Sequence, residues 1–301
     1  MDIVAFEPGL AESLARCYNA LVEPVPQCYP VPAERFASPA ALRHKRLRDE
    51  EIAVAREGTD AIGFVHVGIA LPANDYEEPQ GEPGVIRFLS YPVGRRPVGQ
   101  ALLEWAEDWA RNRSRDTMVA WEAQVRYPFY HFGHAHLSER IGHVRALMGM
   151  NDYHEIGGEL HLTWRNFAPP KLDRPSLDFD LNAEWEEGTT GKRLAVRAMR
   201  GQQKVGYCHM DLPEQSPSPD ASRWCYCAEL SVAQRLQGKR LGLFLLSSAL
   251  HEMRKVGCDH SAITTGWRNY RAQLMYTNMG FQVSDYTVVF RKELETKRAQ
   301  G

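Results

Sequence analysis

The stretch Glu229-Leu-Ser-Val-Ala-Gln-Arg-Leu-Gln-Gly-Lys-Arg-Leu-Gly242 decides how the rest of the chain is read. Leu230 and Val232 are strand-type residues, and Gln237 to Gly242 is a basic turn carrying two glycines. Beyond it Leu241, Phe244, Leu245, Ala249, Met253 and Val256 recur near helical spacing, which predicts a helix with one apolar face. A strand, a turn and a helix start in that order make an anion site. The first N–H groups of a helix have no acceptor inside it, and its dipole adds positive potential at the same end. Gly238 and Gly242 let a ligand approach the backbone closely. Lys239 and Arg240 either contact phosphate or stand solvated in the loop, and the stretch alone leaves both readings open.

The 301 residues suffice for two medium domains, each with a sizeable core. A formal net charge of −2 argues against nucleic acid as the main partner, because such partners require a strong basic surplus. No apolar run of membrane-spanning length and no signal peptide stand out, so neither a membrane partner nor secretion is expected. The six cysteines, Cys17, Cys28, Cys208, Cys225, Cys227 and Cys258, form no metal-type pairs and suit reduced thiols in a cytoplasm. Cys225 and Cys227 fall on one face of a strand and are expected to line core or cleft.

Working outward toward the N-terminus, a strand at Ile3 to Phe6 precedes a helix from Pro8 through Leu21. A proline-rich connection then leads to a second, polar helix expected to run through Arg48. Two strands follow, and after a loop from Pro72 to Gly84 come the strand Val85 to Tyr91, the turn at Gly94 to Gly99 and a helix over Gln100 to Ala110. The same series returns later in the chain. Ile62 to Val67 matches Val205 to Met210, and Gly99 matches Gly242, both 143 residues apart. Asp152-Tyr153 matches Gly280-Phe281 at a separation of 128, so the first copy carries about 15 extra residues, assigned to Tyr127 to Gly142. That insertion holds His131, His134 and His136, but aromatic residues crowd them. A loop shaping an acceptor pocket is expected there rather than a metal site, and no metal is expected elsewhere. The division predicted is a first domain over 1–167, a linker over 168–192 and a second domain over 193–301, the second without the helices that open the first.

These residues resemble the GNAT superfamily of acyl-CoA-dependent N-acyltransferases, in the tandem, mycothiol-synthase-like arrangement. The family's pyrophosphate loop reads Gln/Arg-x-x-Gly-x-Gly/Ala after a strand of Leu-x-Val type. Here Leu230-Ser231-Val232 precedes Gln237-Gly238-Lys239-Arg240-Leu241-Gly242, with Arg240 in place of the first motif glycine. The second signature, Asn269-x-x-Ala272-x-x-x-Tyr276-x-x-x-Gly280-Phe281, is complete. The resemblance implies an α/β fold, a mixed sheet flanked by helices, twice in tandem. It also implies acetyl-CoA as co-substrate.

Roles carry over residue by residue. Leu230 and Val232 would offer backbone groups to the pantetheine amides, and the turn from Gln237 through Gly238, Lys239, Arg240 and Leu241 to Gly242 would hold the phosphates. Asn269 and Ala272 belong to the cofactor-binding signature. Tyr276 would protonate the departing sulfur. Attack by an amine needs a neutral nucleophile, so a base is required, and Glu229 is the candidate. In the first copy Gly94 to Gly99 has gained Pro97, which removes a donor, and Met148 stands where Tyr276 does, so catalysis is expected only in the second. The reading is an N-acetyltransferase acting on a primary amine of a small molecule, with a homodimer compatible with it. Its rival is a non-catalytic acyl-CoA-binding or regulatory protein, which would have no need of Tyr276.

Overall fold

The computed structural model describes residues 1–37, 42–71, 82–122, 125, 127–133, 136–188, 191–212 and 220–295. Among them no helix is long and apolar enough to cross a membrane. In chain order the elements are β1 (Asp2–Ala5), α1 (Ala11–Val22), β2 (Leu47–Glu57), β3 (Asp60–Ala70), β4 (Gly84–Ser90), α2 (Arg96–Arg111), β5 (Thr117–Ala120), β6 (Leu137–Ser138), α3 (Gly142–Met150) and β7 (His154–Trp164). There follow β8 (Asp180–Glu187), β9 (Lys192–Arg200), β10 (Gln203–Asp211), β11 (Trp224–Val232), α4 (Leu241–Lys255), β12 (His260–Gly266), α5 (Tyr270–Met279) and β13 (Gln282–Glu293). The chain forms two compact units, one of residues 1–158 with 287–301 and the other of residues 159–286.

The first unit is a mixed sheet of order β1-β2-β3-β4-β5-β13. Its ladders are antiparallel except for β4 with β5, which α2 connects as a parallel crossover needs. Leu14, Tyr18 and Leu21 of α1 recur every three or four residues and are buried, as is Val22, four residues after Tyr18. Tyr18 packs 5.3 Å from Phe88 on β4, so α1 covers that face of the sheet.

The second unit repeats the plan in the order β7-β12-β11-β10-β9-β8, with only β11 and β12 parallel. Leu245, Leu246 and Leu250 of α4 are fully buried against the alternate residues Cys208 and Met210 of β10 and Cys225 and Cys227 of β11. Each such leucine contributes about 2 kcal/mol by leaving water. Among the described residues the unit has no helix ahead of β9, as the shorter second copy implies.

Three features differ from the sequence expectation. The polar helix expected to run through Arg48 does not reach it: residues 43–46 are not helical and β2 already begins at Leu47, while residues 38–41 lie outside the described residues. Ile52 to Ala55 is an unbroken apolar run that buries best as a sheet strand, and the strand extends back from it. The segment 168–192, expected as a linker, contributes β8, which pairs with β9 along its whole length. The units also exchange their closing strands relative to the division at 167. Leu160 and Leu162 of β7 enter the second core, whereas Phe290 to Glu293 pair with Ala120 to Thr117 in the first unit. There Thr117 Oγ1 donates to Glu293 Oε2 at 2.7 Å and Lys292 Nζ to Glu107 Oε1 at 2.7 Å.

Candidate active site

The site begins where β11 leaves β12. Their parallel pairing ends at Cys227 opposite Ile263. On the other side β10 pairs His209 with Glu229 but Met210 with Cys227, so Ala228 is an extra, bulged residue. A bulge bends its strand and adds twist. Leu230 and Val232 continue to pair with β10, opposite Cys208 and Gly206, while their far edge has no ladder partner among the described residues. An open edge of that kind offers amide and carbonyl groups to an extended chain such as a pantetheine arm.

The turn at the end of β11 is fixed from within. The Gln237 side chain donates to the Val232 carbonyl at 3.1 Å, which ties the loop to the strand end. Gly238 has φ 77° and Arg240 φ 64°, and α4 starts at the next residue, Leu241. Arg240 thus occupies a left-handed position that a glycine takes freely, at a cost of about 1–2 kcal/mol for an L side chain. Its carbonyl accepts the Phe244 N–H at 3.0 Å, and no acid stands in the first turn to compete for the helix end. Gln237 to Arg240 are exposed, Leu241 is buried, and a Cβ at Gly242 would keep 3.5 Å from Val232. The residues fit a phosphate: exposed donors at a 15-residue helix start, flanked by Lys239 and Arg240.

Asn269 and Ala272 have a local task. The Asn269 side chain accepts the Ala272 N–H at 3.3 Å, the usual way to satisfy a free donor at a helix start, here that of α5. Two turns on, Tyr276 is buried between α5 and the sheet. Burial, with the thiols of Cys227 and Cys208 beside it, pushes its phenol far above the ordinary value, so it stays protonated and able to donate. Gly280 ends the helix with φ 118°, and a Cβ there would lie 2.8 Å from the Trp164 indole, so only glycine serves.

Glu229 is exposed, with half of its side chain open to solvent, and points to the face of the sheet opposite the α4 core. Its Oε2 lies 3.2 Å from His209 Nδ1. Sequence reading did not single out His209. The repeat aligned it with His66, yet its pairing with Glu229 depends on the bulge at Ala228, which leaves no mark in composition or spacing. The described residues contain no group of three His, Cys, Asp or Glu placed to hold a metal.

Residues 159–281 match the acetyltransferase (GNAT) family model. A tandem GNAT protein from the clavulanic acid biosynthesis pathway superposes with a TM-score of 0.71 at 13% identity, over 97% of this chain and 98% of that one. The chain has the tandem GNAT fold. A GCN5-related N-acetyltransferase from Sphaerobacter thermophilus gives a TM-score of 0.63 at 15% identity, covering 97% and 95% of the two chains. A fungal glucosamine N-acetyltransferase region within a multi-domain GH3 β-N-acetylglucosaminidase gives 0.66 at 11% identity, over 97% of this chain and 38% of that one. No curated protein matches the chain by sequence. The GNAT fold is one that supports acyl-CoA-dependent acetyl transfer, with acetyl-CoA as the family's co-substrate.

The first GNAT unit reproduces the backbone and changes the chemistry. Its bulge recurs at Arg87, which leaves His66 opposite Phe88 where the second unit has His209 opposite Glu229. Phe88 stacks on Tyr127 at 5.1 Å and packs against Tyr130 at 5.8 Å. Both belong to the insertion, which therefore builds core on this face of the first unit. Within it His136 Nδ1 lies 2.8 Å from the Trp121 carbonyl and the buried His131 ring stacks on Tyr130, while His134 lies outside the described residues. His66 contacts the Tyr127 hydroxyl at 2.9 Å and Glu50 at 3.2 Å, all buried, with Arg87 over the Tyr127 ring. At the phosphate loop, Gly99 is packed so closely on Tyr91 that a Cβ would sit 2.5 Å from the ring. Tyr91 in turn donates to the His143 carbonyl in α3 at 2.7 Å.

Proposed function

We propose that the second unit transfers an acetyl group from acetyl-CoA to a primary amine of a small molecule by direct attack. The observation that carries this reading is the convergence, in one unit, of an open β11 edge, an exposed helix start at Gln237 to Gly242 and the buried phenol of Tyr276. The thioester would lie along Leu230 to Val232 with its phosphates on the turn. The amine, entering on the face of Glu229, gives up a proton and attacks the carbonyl carbon. The new C–N bond forms, the C–S bond breaks, and Tyr276 donates its proton to the leaving sulfur, regaining one from the amide nitrogen.

An exposed carboxylate suits an acceptor that arrives as an ammonium ion. The similarity to a glucosamine N-acetyltransferase region agrees with a small amine. The free cysteines suit a reducing cytoplasm. A screen of amines that follows free thiol from acetyl-CoA tests the reading: amine-dependent release supports it, and release without amine indicates hydrolysis alone.

A second reading, binding without turnover, is favoured for the first unit alone. It holds a cavity of about 830 Å³ lined by Ser90, Tyr91, Arg140 and His143, with Met148 in the position of the tyrosine.

A further inference from the structure

His209 lies at the centre of a polar sheet face. It is nine-tenths buried; Nδ1 lies 3.2 Å from Glu229 Oε2 without hydrogen-bond geometry, and Nε2 has no hydrogen-bond partner among the described residues. Burying a ring nitrogen whose hydrogen bond is unmade costs on the order of 1–3 kcal/mol, so the position needs a reason. The groups around it are all charged or aromatic. Glu229 faces it from β11, and Tyr207 of its own strand, β10, packs its ring at 4.7 Å. On β9, Arg193 is held bidentately by Asp211 of β10 at 2.6 and 2.9 Å, and Arg197 is held by Glu186 at 2.5 Å and Glu184 at 3.4 Å, both of β8. Each arginine is thus committed to a carboxylate. Arg193 acts on Glu229 through its charge, whereas the imidazole lies 3.2 Å from the Glu229 carboxylate.

Resting on the acetyl-transfer reading, we infer that His209 and Glu229 act as one proton-accepting unit, the imidazole taking the amine's proton and the carboxylate stabilising the imidazolium. Charge and register both support the pairing. Burial, opposed by Glu229 and Glu186 and reinforced by Arg193 and Arg197, holds the imidazole below its ordinary pKa, so it is neutral and basic at pH 7. Glu229 is opposite it in the ladder, and 3.2 Å leaves the carboxylate within reach of the ring N–H once the ring is charged. The proton balance is complete: one proton of the ammonium passes to the imidazole, directly or through one water, and on to solvent. The second, lost from the amide nitrogen, returns to Tyr276 after that residue has protonated the thiolate.

The experiment has two arms on the full-length chain. In the first, the His209 ring is followed by NMR against pH in the wild type and in Glu229→Gln. Because Glu229 raises the imidazole pKa, its neutralisation should move the His209 midpoint to lower pH; an unmoved midpoint overturns the pairing. In the second, kinetics with an amine found by thiol release compare the wild type with His209→Gln. The expected result is a fall in kcat/KM for the amine of about tenfold or more at pH 7, with the KM for acetyl-CoA unchanged. The ascending limb of the pH profile should move toward the amine's own ionisation. A profile that superimposes on the wild type overturns the role of His209. If no amine supports thiol release, the acetyl-transfer reading falls and the proton-accepting role with it, while the NMR arm still decides whether the two side chains are coupled.

Discussion

The two units share a backbone down to the bulge after the third strand, yet equivalent positions hold opposite chemistry. His66 meets Phe88 and a buried tyrosine, whereas His209 meets an exposed glutamate. Tyr91 fills the space over Gly99, whereas the smaller Val232 leaves Gly242 clear. Met148 and Tyr276 each accept the N–H of an aromatic residue five positions on, at 3.1 Å, and only one of them can donate a proton. Under the proposed function, the difference is how one copy of a repeated fold can lack the site. Each polar or open position has been filled by a side chain that packs, and an aromatic ring leaving water contributes about 2–3 kcal/mol. Losing the chemistry and gaining a core are the same substitutions.

That contrast can be broken experimentally. The largest effect is expected at Tyr276→Phe, which removes the donor and keeps the ring: kcat should fall about 100-fold, or ~2.7 kcal/mol in barrier. CoA affinity by calorimetry should stay within about twofold, as no binding group is lost. Its counterpart Met148→Leu should leave turnover unchanged, and a comparable fall there would overturn the assignment of catalysis to the second unit. Next comes Gly99→Ala, whose methyl meets the Tyr91 ring. Overpacking should cost about 2 kcal/mol, seen as a lower thermal midpoint with CoA affinity intact. Gly242→Glu has room for its Cβ but sets a carboxylate at the phosphate position, so CoA should bind about tenfold more weakly by calorimetry. The smallest effect is Arg240→Gly. Relief of the left-handed strain exceeds the added freedom of the unfolded chain by about 0.5 kcal/mol, which should raise the thermal midpoint slightly.

Much of the second unit could be read from residues alone, because its signals are local. The turn at Gln237 to Gly242 and the cap, ring and glycine at Asn269, Tyr276 and Gly280 each act within one or two helical turns. The exchanged strands were illegible for the opposite reason. Residues 154–164 and 282–293 both follow the same helix-ending motif and both carry buried apolar residues, so either satisfies the edge that the other takes. Only long-range contacts choose between them. Only the start of β2, before Ile52, was hidden, by its polar residues, and the His209–Glu229 pair by a one-residue bulge that resets the register. Tyr91 looked like the end of a strand, and nothing in its neighbours told of the ring closing over Gly99.

The closing of the first sheet by β13 orders events during synthesis. Thr117 and Glu293, whose side chains meet, are separated by 176 residues. At about 5–20 residues per second, β5 waits on the order of ten seconds or more on the ribosome before its partner strand is made. Throughout that interval β5 carries an unpaired apolar edge, open to a neighbouring nascent chain. The N-terminal unit is thus translated first and finished last.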